Sequence, residues 1–138
     1  MTHSARQSII RSNPVELGTP PGYSQIVDVA ANRIIFISGQ TALDRDGNLV
    51  GKNDFSAQAM QVFRNLAVAL KERGCDASNV VKMTVFLTDM ENLASYREAR
   101  NHFFGSVTPP AAPAVTLIEV SKLYGPDFLI EIEAIAAA

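Results

Sequence analysis

PAVTLIEV, residues 113–120, and FLIEIEAIA, residues 128–136, separated by the turn Tyr124, Gly125, Pro126 and Asp127, form the stretch that decides the fold. Both runs are rich in residues that suit a pleated surface and are bounded by turn formers, so both read as strands. Side chains alternate along a strand, which puts Ile130, Ile132 and Ala134 on one face and Leu129, Glu131, Glu133 and Ile135 on the other. Two carboxylates then share a face at a separation of about 7 Å. An unpaired buried carboxylate costs several kcal/mol. That face is therefore either solvated or the wall of a polar pocket, and the pattern leaves both readings open.

Outward from this stretch, the chain has 138 residues and 47% hydrophobic content, which predicts one folded domain over 1–138. No run approaches the twenty or so apolar residues of a membrane span, and MTHSARQSIIRSNP lacks the apolar core of a secretory signal. The single cysteine, Cys75, cannot close an internal disulfide, so the cytoplasm is the expected compartment. A net charge of −2, with twelve basic residues scattered singly, makes no basic stripe for a phosphate backbone. Nucleic acid is not an expected partner, and neither is a membrane.

RQSIIRS, residues 6–12, predicts an edge strand that Asn13 and Pro14 stop, and Gly18, Thr19, Pro20, Pro21 and Gly22 predict a surface loop. The runs 25–30 and 33–38, joined by Ala31 and Asn32, predict a hairpin with Asn32 in the left-handed conformation. The second of these, RIIFIS, is apolar on both faces and predicts a central, doubly covered strand. It ends in Ser38, Gly39 and Gln40. Asp44, Asp46, Gly47 and Asn48 mark a loop, and Asn53 or Asp54 caps a helix over 55–73 that buries Phe55, Ala59, Val62, Leu66 and Ala69 or Leu70. Gly74 stops it. A strand over 80–87 follows, then a second helix, capped by Asp89 or Asn92 and running to about residue 104, that buries Leu93, Tyr96, Ala99 and Phe103. This order predicts an α/β (α+β) fold, a mixed sheet with two helices packed on one face.

The chemistry-bearing residues exclude several classes. His3 and His102 are the only histidines and make no metal-ligand set, so no metal is expected. Cys75 has no neighbouring base, Ser38 is not in a nucleophile elbow, and the glycines match no phosphate-binding fingerprint. What remains is Tyr23 and Ser24 after the proline loop, the exit Ser38, Gly39 and Gln40, and Glu119, Glu131 and Glu133. Backbone N–H groups at a glycine-containing exit can hold an oxygen, and a partly desolvated glutamate can place or deprotonate water.

The segments GYSQIVDV, IIFISGQTAL, DFSAQAMQVFRNLAVAL, VVKMTVFLTDM and IEIEAIA together resemble the reactive-intermediate deaminase family, also known as RidA, YjgF-like or L-PSP endoribonuclease-like, over about residues 23–136. The resemblance implies a chorismate-mutase-like mixed sheet, a homotrimer with sheets inward and a ligand cleft at each interface, and hydrolysis of small imines or enamines without a cofactor. It implies that Tyr23 lines the cleft, that the backbone of Ser38, Gly39 and Gln40 meets the substrate, and that Glu131 holds the attacking water. One departure stands out. Where family members carry Pro-Ala-Arg, whose arginine grips the substrate carboxylate, this chain has Pro113, Ala114 and Val115, and Leu117 replaces a frequent Cys or Thr. Arg45, Arg97, Arg100 and Lys122 are the cations that could substitute. The rival expectations are a non-catalytic small-molecule-binding trimer and, least favoured, a ribonuclease.

Overall fold

The computed structural model describes residues 8–138. In chain order these form β1 (Ser8–Ser12), β2 (Ile26–Ala30), β3 (Ile34–Gln40), α1 (Phe55–Glu72), β4 (Val80–Leu87), α2 (Leu93–Phe104), β5 (Ala114–Glu119) and β6 (Ile130–Ala137), with short 3-10 turns before β4 and α2. The two strands of the deciding stretch are present but do not touch. The main sheet has the order β3-β6-β4-β5, with β6 antiparallel to both neighbours and β4 parallel to β5. A parallel pair needs a crossover, and α2 supplies it.

Alternation along β6 takes the predicted form. Ile130, Ile132, Ala134 and Ala136 are buried with Met83, Val85 and Leu87 of β4 and Ile37 of β3 under the two helices. Asp54 opens α1 by accepting from the Ala57 N–H at 3.1 Å, and Gly74, at φ +72°, turns the chain after its last residues. Phe55, Ala59, Val62, Leu66 and Leu70 face the core as their spacing requires. On α2, Tyr96, Ala99 and Phe103 are buried and Leu93 only half-buried, and the Phe63 ring of α1 meets Phe103 at 5.0 Å. Among the described residues no helix packs on the opposite face of the sheet. Register puts Phe36, Lys82, Thr84, Phe86, Glu131, Glu133, Thr116 and Ile118 there.

Two expectations fail. No β2–β3 hairpin forms: β2 pairs with β1 along its whole length, and Asn32 is not left-handed. The cause is a competing attachment. The Ser24 N–H donates to the Pro113 carbonyl at 2.9 Å and Ser24 bridges Ala114, which ties the start of β2 to the β5 edge while β3 lies on the far edge. The RIIFIS strand is consequently not central. As β3 it borders the four-stranded sheet, and its second apolar face is open, with Ile34 52% and Phe36 76% exposed. The predicted edge strand over 6–12 is found as β1, its residues 6 and 7 lying outside the described residues.

Candidate functional site

Two clusters gather the residues singled out by the sequence. In the first, β3 breaks its pairing with β6 between Ile37 and Gln40, and Gly39 faces Glu131 directly. A Cβ at Gly39 would lie 2.1 Å from Glu131 Oε2, so only glycine leaves the carboxylate room. Glu131 is half-buried and no ion pair or hydrogen bond holds its carboxylate among the described residues. Ser38 is exposed, and its carbonyl accepts from the Gln40 side-chain amide at 3.1 Å. Gly39 and Gln40 line a hollow of about 570 Å³ that also reaches Arg45 and Tyr124.

In the second cluster, Tyr23, Val115 and Leu117 line a smaller pocket of about 210 Å³ together with Tyr96, Arg97 and Arg100 of α2. Val115 and Leu117 pair in register with Met83 and Val85, so they face the helix layer, whereas Glu131 pairs with Phe86 on the open face. Glu131 and the Val115–Leu117 pair therefore lie on opposite faces of one sheet, while the hollow beside Gly39 and Gln40 is walled by Gln61, Arg64 and Asn65 of α1 and does not include Glu131. Of the four cations considered, Arg97 and Arg100 lie beside Val115, Arg45 lies by the strand exit, and Lys122 reaches neither hollow. Arg100 is 6% exposed, its Nε and Nη2 donating to Asn101 Oδ1 at 3.3 and 3.2 Å and its guanidinium 5.7 Å from the Tyr96 ring centre. Burial pushes the Tyr96 phenol up to about 12, with Arg100 opposing the shift.

Other candidates have structural duties. The Ser24 hydroxyl donates to the Ala112 carbonyl at 2.6 Å, and Glu119 Oε1 accepts from the Met90 N–H at 2.8 Å, capping the turn before α2. Glu133 is exposed near Lys82, whose ammonium is shifted downward by burial against the opposing pull of Glu133 and donates to Thr116 Oγ1 at 2.9 Å. Cys75 and His102 reach a separate groove of about 500 Å³ between α1 and α2 that contains none of the predicted site residues. Among the described residues, no three His, Cys, Asp or Glu side chains come together as a metal set, and no helix is long and apolar enough to cross a membrane.

Sequence reasoning missed the polar side chains that hold the strand exit. Asn65 donates to the carbonyls of Thr41 and Leu43 at 3.1 and 2.9 Å, and Thr41 Oγ1 meets the Tyr124 hydroxyl at 2.6 Å. Gln58 is fully buried and bonds Gly51, Asp127 and Leu129. The available signal was position: Gln58 falls three residues after Phe55, inside the apolar stripe of α1, where an amide must find partners.

A helix-backed mixed sheet with an acid set against a strand-exit glycine defines the class as a YjgF-like α+β protein. The profile of the family described as Endoribonuclease L-PSP matches residues 15–138. A RutC family protein of Synechocystis is 40% identical over 109 residues, covering 78% of this chain and 81% of that protein. A mouse protein named 2-iminobutanoate/2-iminopropanoate deaminase is 38% identical over 115 residues, covering 83% of this chain and 79% of its own. The crystal structure of a protein of unknown function of the conserved Rid family, YyfB from Yersinia pestis, superposes with a TM-score of 0.80 at 29% identity, covering 96% of this chain and 98% of the other. The chain belongs to this L-PSP, RidA or YjgF-like family.

Proposed function

We propose that the protein hydrolyses a small imine or enamine to the carbonyl compound and ammonia, in a cleft shared between copies of the chain in a cytoplasmic homotrimer. The observation that carries this reading is the division of the site. Tyr23, Val115 and Leu117 face the helix side of the sheet while Glu131 and Gly39 meet on the other, so one chain cannot close a cleft from both sets. A neighbouring copy packed on the open face can, and the exposed apolar side chains there, Phe36, Ile34 and Ile118, favour such a partner. The mouse relative named as an imine deaminase supports the reaction class.

The chemistry asks little of the protein. Water held by the Glu131 carboxylate adds to the C=N carbon while Glu131 takes its proton. Return of that proton to nitrogen gives the carbinolamine, and transfer of the carbinolamine hydroxyl proton to the same nitrogen, again through Glu131, forms the C=O bond as the C–N bond breaks and ammonia leaves. Backbone groups at Ser38, Gly39 and Gln40 would position the substrate, with Tyr23 as the opposite wall, and no cofactor is needed. Because Val115 stands where the family arginine is expected, substrate recognition differs from that of relatives that use it.

A non-catalytic small-molecule-binding trimer is the second reading, favoured by the apolar pair Val115 and Leu117. Ribonuclease activity, despite the family's description, has the charge balance against it. A coupled assay decides: threonine dehydratase generates 2-iminobutanoate in situ and release of the keto acid is followed. Wild type is expected to accelerate release and Glu131→Gln to lose about 100-fold or more of that acceleration. Equal rates for the two proteins would remove Glu131 from the chemistry, and an inactive wild type would favour the binding reading.

A further inference from the structure

We propose that Arg100, with Arg97 at the rim, is the anion anchor of the Tyr23 pocket, taking over on α2 the task for which β5 offers only Val115. The inference deepens the imine-hydrolase reading and rests on it for the ligand class, a small 2-imino or 2-oxo monocarboxylate. Its ground is the environment of Arg100. The side chain is buried, yet no carboxylate pairs with it: the one ion pair among the described residues joins Lys52 to Asp127. A guanidinium offers five N–H donors, and here two of them share one neutral oxygen, Asn101 Oδ1, at the long distances of 3.3 and 3.2 Å. A buried cation without an acidic partner is costly for the free protein and is well suited to a carboxylate, which accepts in bidentate geometry.

The surroundings point the same way. Tyr96 is 1% exposed, and its hydroxyl, with the Arg100 guanidinium beside it, donates to no acceptor among the described residues. Burial keeps this phenol protonated, so it remains a second unused donor at the same place. The pocket lining contains Arg97 and Arg100 and no acidic side chain. Gly22 makes room for the guanidinium: at φ +75°, a Cβ there would lie 2.3 Å from Arg100 Nη2. A hollow of about 210 Å³ with apolar walls from Val115 and Leu117 suits a short aliphatic tail.

The test measures binding separately from turnover. 2-Oxobutanoate and the uncharged 2-oxobutanamide are titrated calorimetrically into wild type, Arg100→Gln, Arg97→Gln and the double variant Arg100→Gln/Val115→Arg, and 2-iminobutanoate hydrolysis is assayed in parallel. Wild type should prefer the carboxylate by about tenfold or more; Arg100→Gln should lose that preference and keep the amide affinity; Val115→Arg should restore carboxylate binding in the double variant. Because Arg100 is buried, the wild-type preference is itself a criterion that needs no variant: equal affinity for the acid and the amide overturns the proposal. So does an Arg100→Gln protein that retains the carboxylate preference, or a loss confined to Arg97→Gln. Any of these three results with imine turnover intact sinks the anchor and leaves the hydrolase standing. A wild type that neither binds 2-oxobutanoate nor hydrolyses the imine sinks both.

Discussion

Gly39 and Glu131 depend on one another. The absence of a side chain at Gly39 is what allows the Glu131 carboxylate to sit against the end of β3, since a methyl group there would fall 2.1 Å from Oε2. The obstructing atom is the flexible end of a side chain, and Gly39 does not use a positive φ, so Gly39→Ala should fold and displace the acid. Turnover is expected to fall by about 100-fold, the scale of a misplacement of roughly 1 Å, with the melting temperature nearly unchanged. A stable variant at full activity would show that the carboxylate position is immaterial. Tyr96 gives a second test at this scale. Its phenol is raised from 10.0 to about 12 on folding, so between those values the folded chain keeps a proton that the unfolded chain has lost. Stability supported by the neutral phenol is present in full below pH 10 and lost as pH rises toward 12, on the order of 2 kcal/mol in all. In Tyr96→Phe the fall in urea midpoint across that window should be shallower than in wild type, and parallel curves would exclude the effect.

Helix α1 shows how much an element owes to residues that break its pattern. Its apolar stripe was legible because Phe55, Ala59, Val62 and Leu66 repeat at helical spacing, and Asp54 and Gly74 mark its ends. The function of Gln58 was not, because its partners, Gly51, Asp127 and Leu129, lie in loops that only the folded chain brings to it. Gln58→Leu keeps the volume and leaves two carbonyls and one N–H without that partner. It should destabilise the fold by about 2 to 3 kcal/mol in chemical denaturation, and a change below about 0.5 kcal/mol would mean the loops find other partners. The strands divide in the same way. β6 was readable down to the faces of its glutamates, because alternation is a local property and both faces carried a clear signal. The two-faced apolar run of β3 was misread as doubly covered, since sequence does not distinguish a face covered by its own helices from one left open. The supposed β2–β3 hairpin failed for a related reason. Ser24 is held by Pro113, a residue 89 positions later, and no local propensity predicts such a bond.

For the molecule as a whole, the deciding feature is a site in two parts. Residue types singled out Tyr23, Gly39 and Glu131 and the family resemblance added Val115, but their separation onto opposite faces of the sheet is visible only in three dimensions, as is the nearness of Arg100 to Val115 across the β5–α2 packing. The second copy proposed above would both cover the open face, where Phe36 is 76% exposed, and complete the divided site. The most direct test of that claim mixes two inactive proteins. Glu131→Ala and Tyr23→Ala are unfolded together in equal amounts, refolded and assayed for hydrolysis of 2-iminobutanoate formed in situ. If each cleft takes Tyr23 from one copy and Glu131 from its neighbour, random assembly leaves about a quarter of the clefts intact, and the mixture should recover about that fraction of wild-type activity. A mixture that assembles and stays as inactive as its components would contradict the shared cleft.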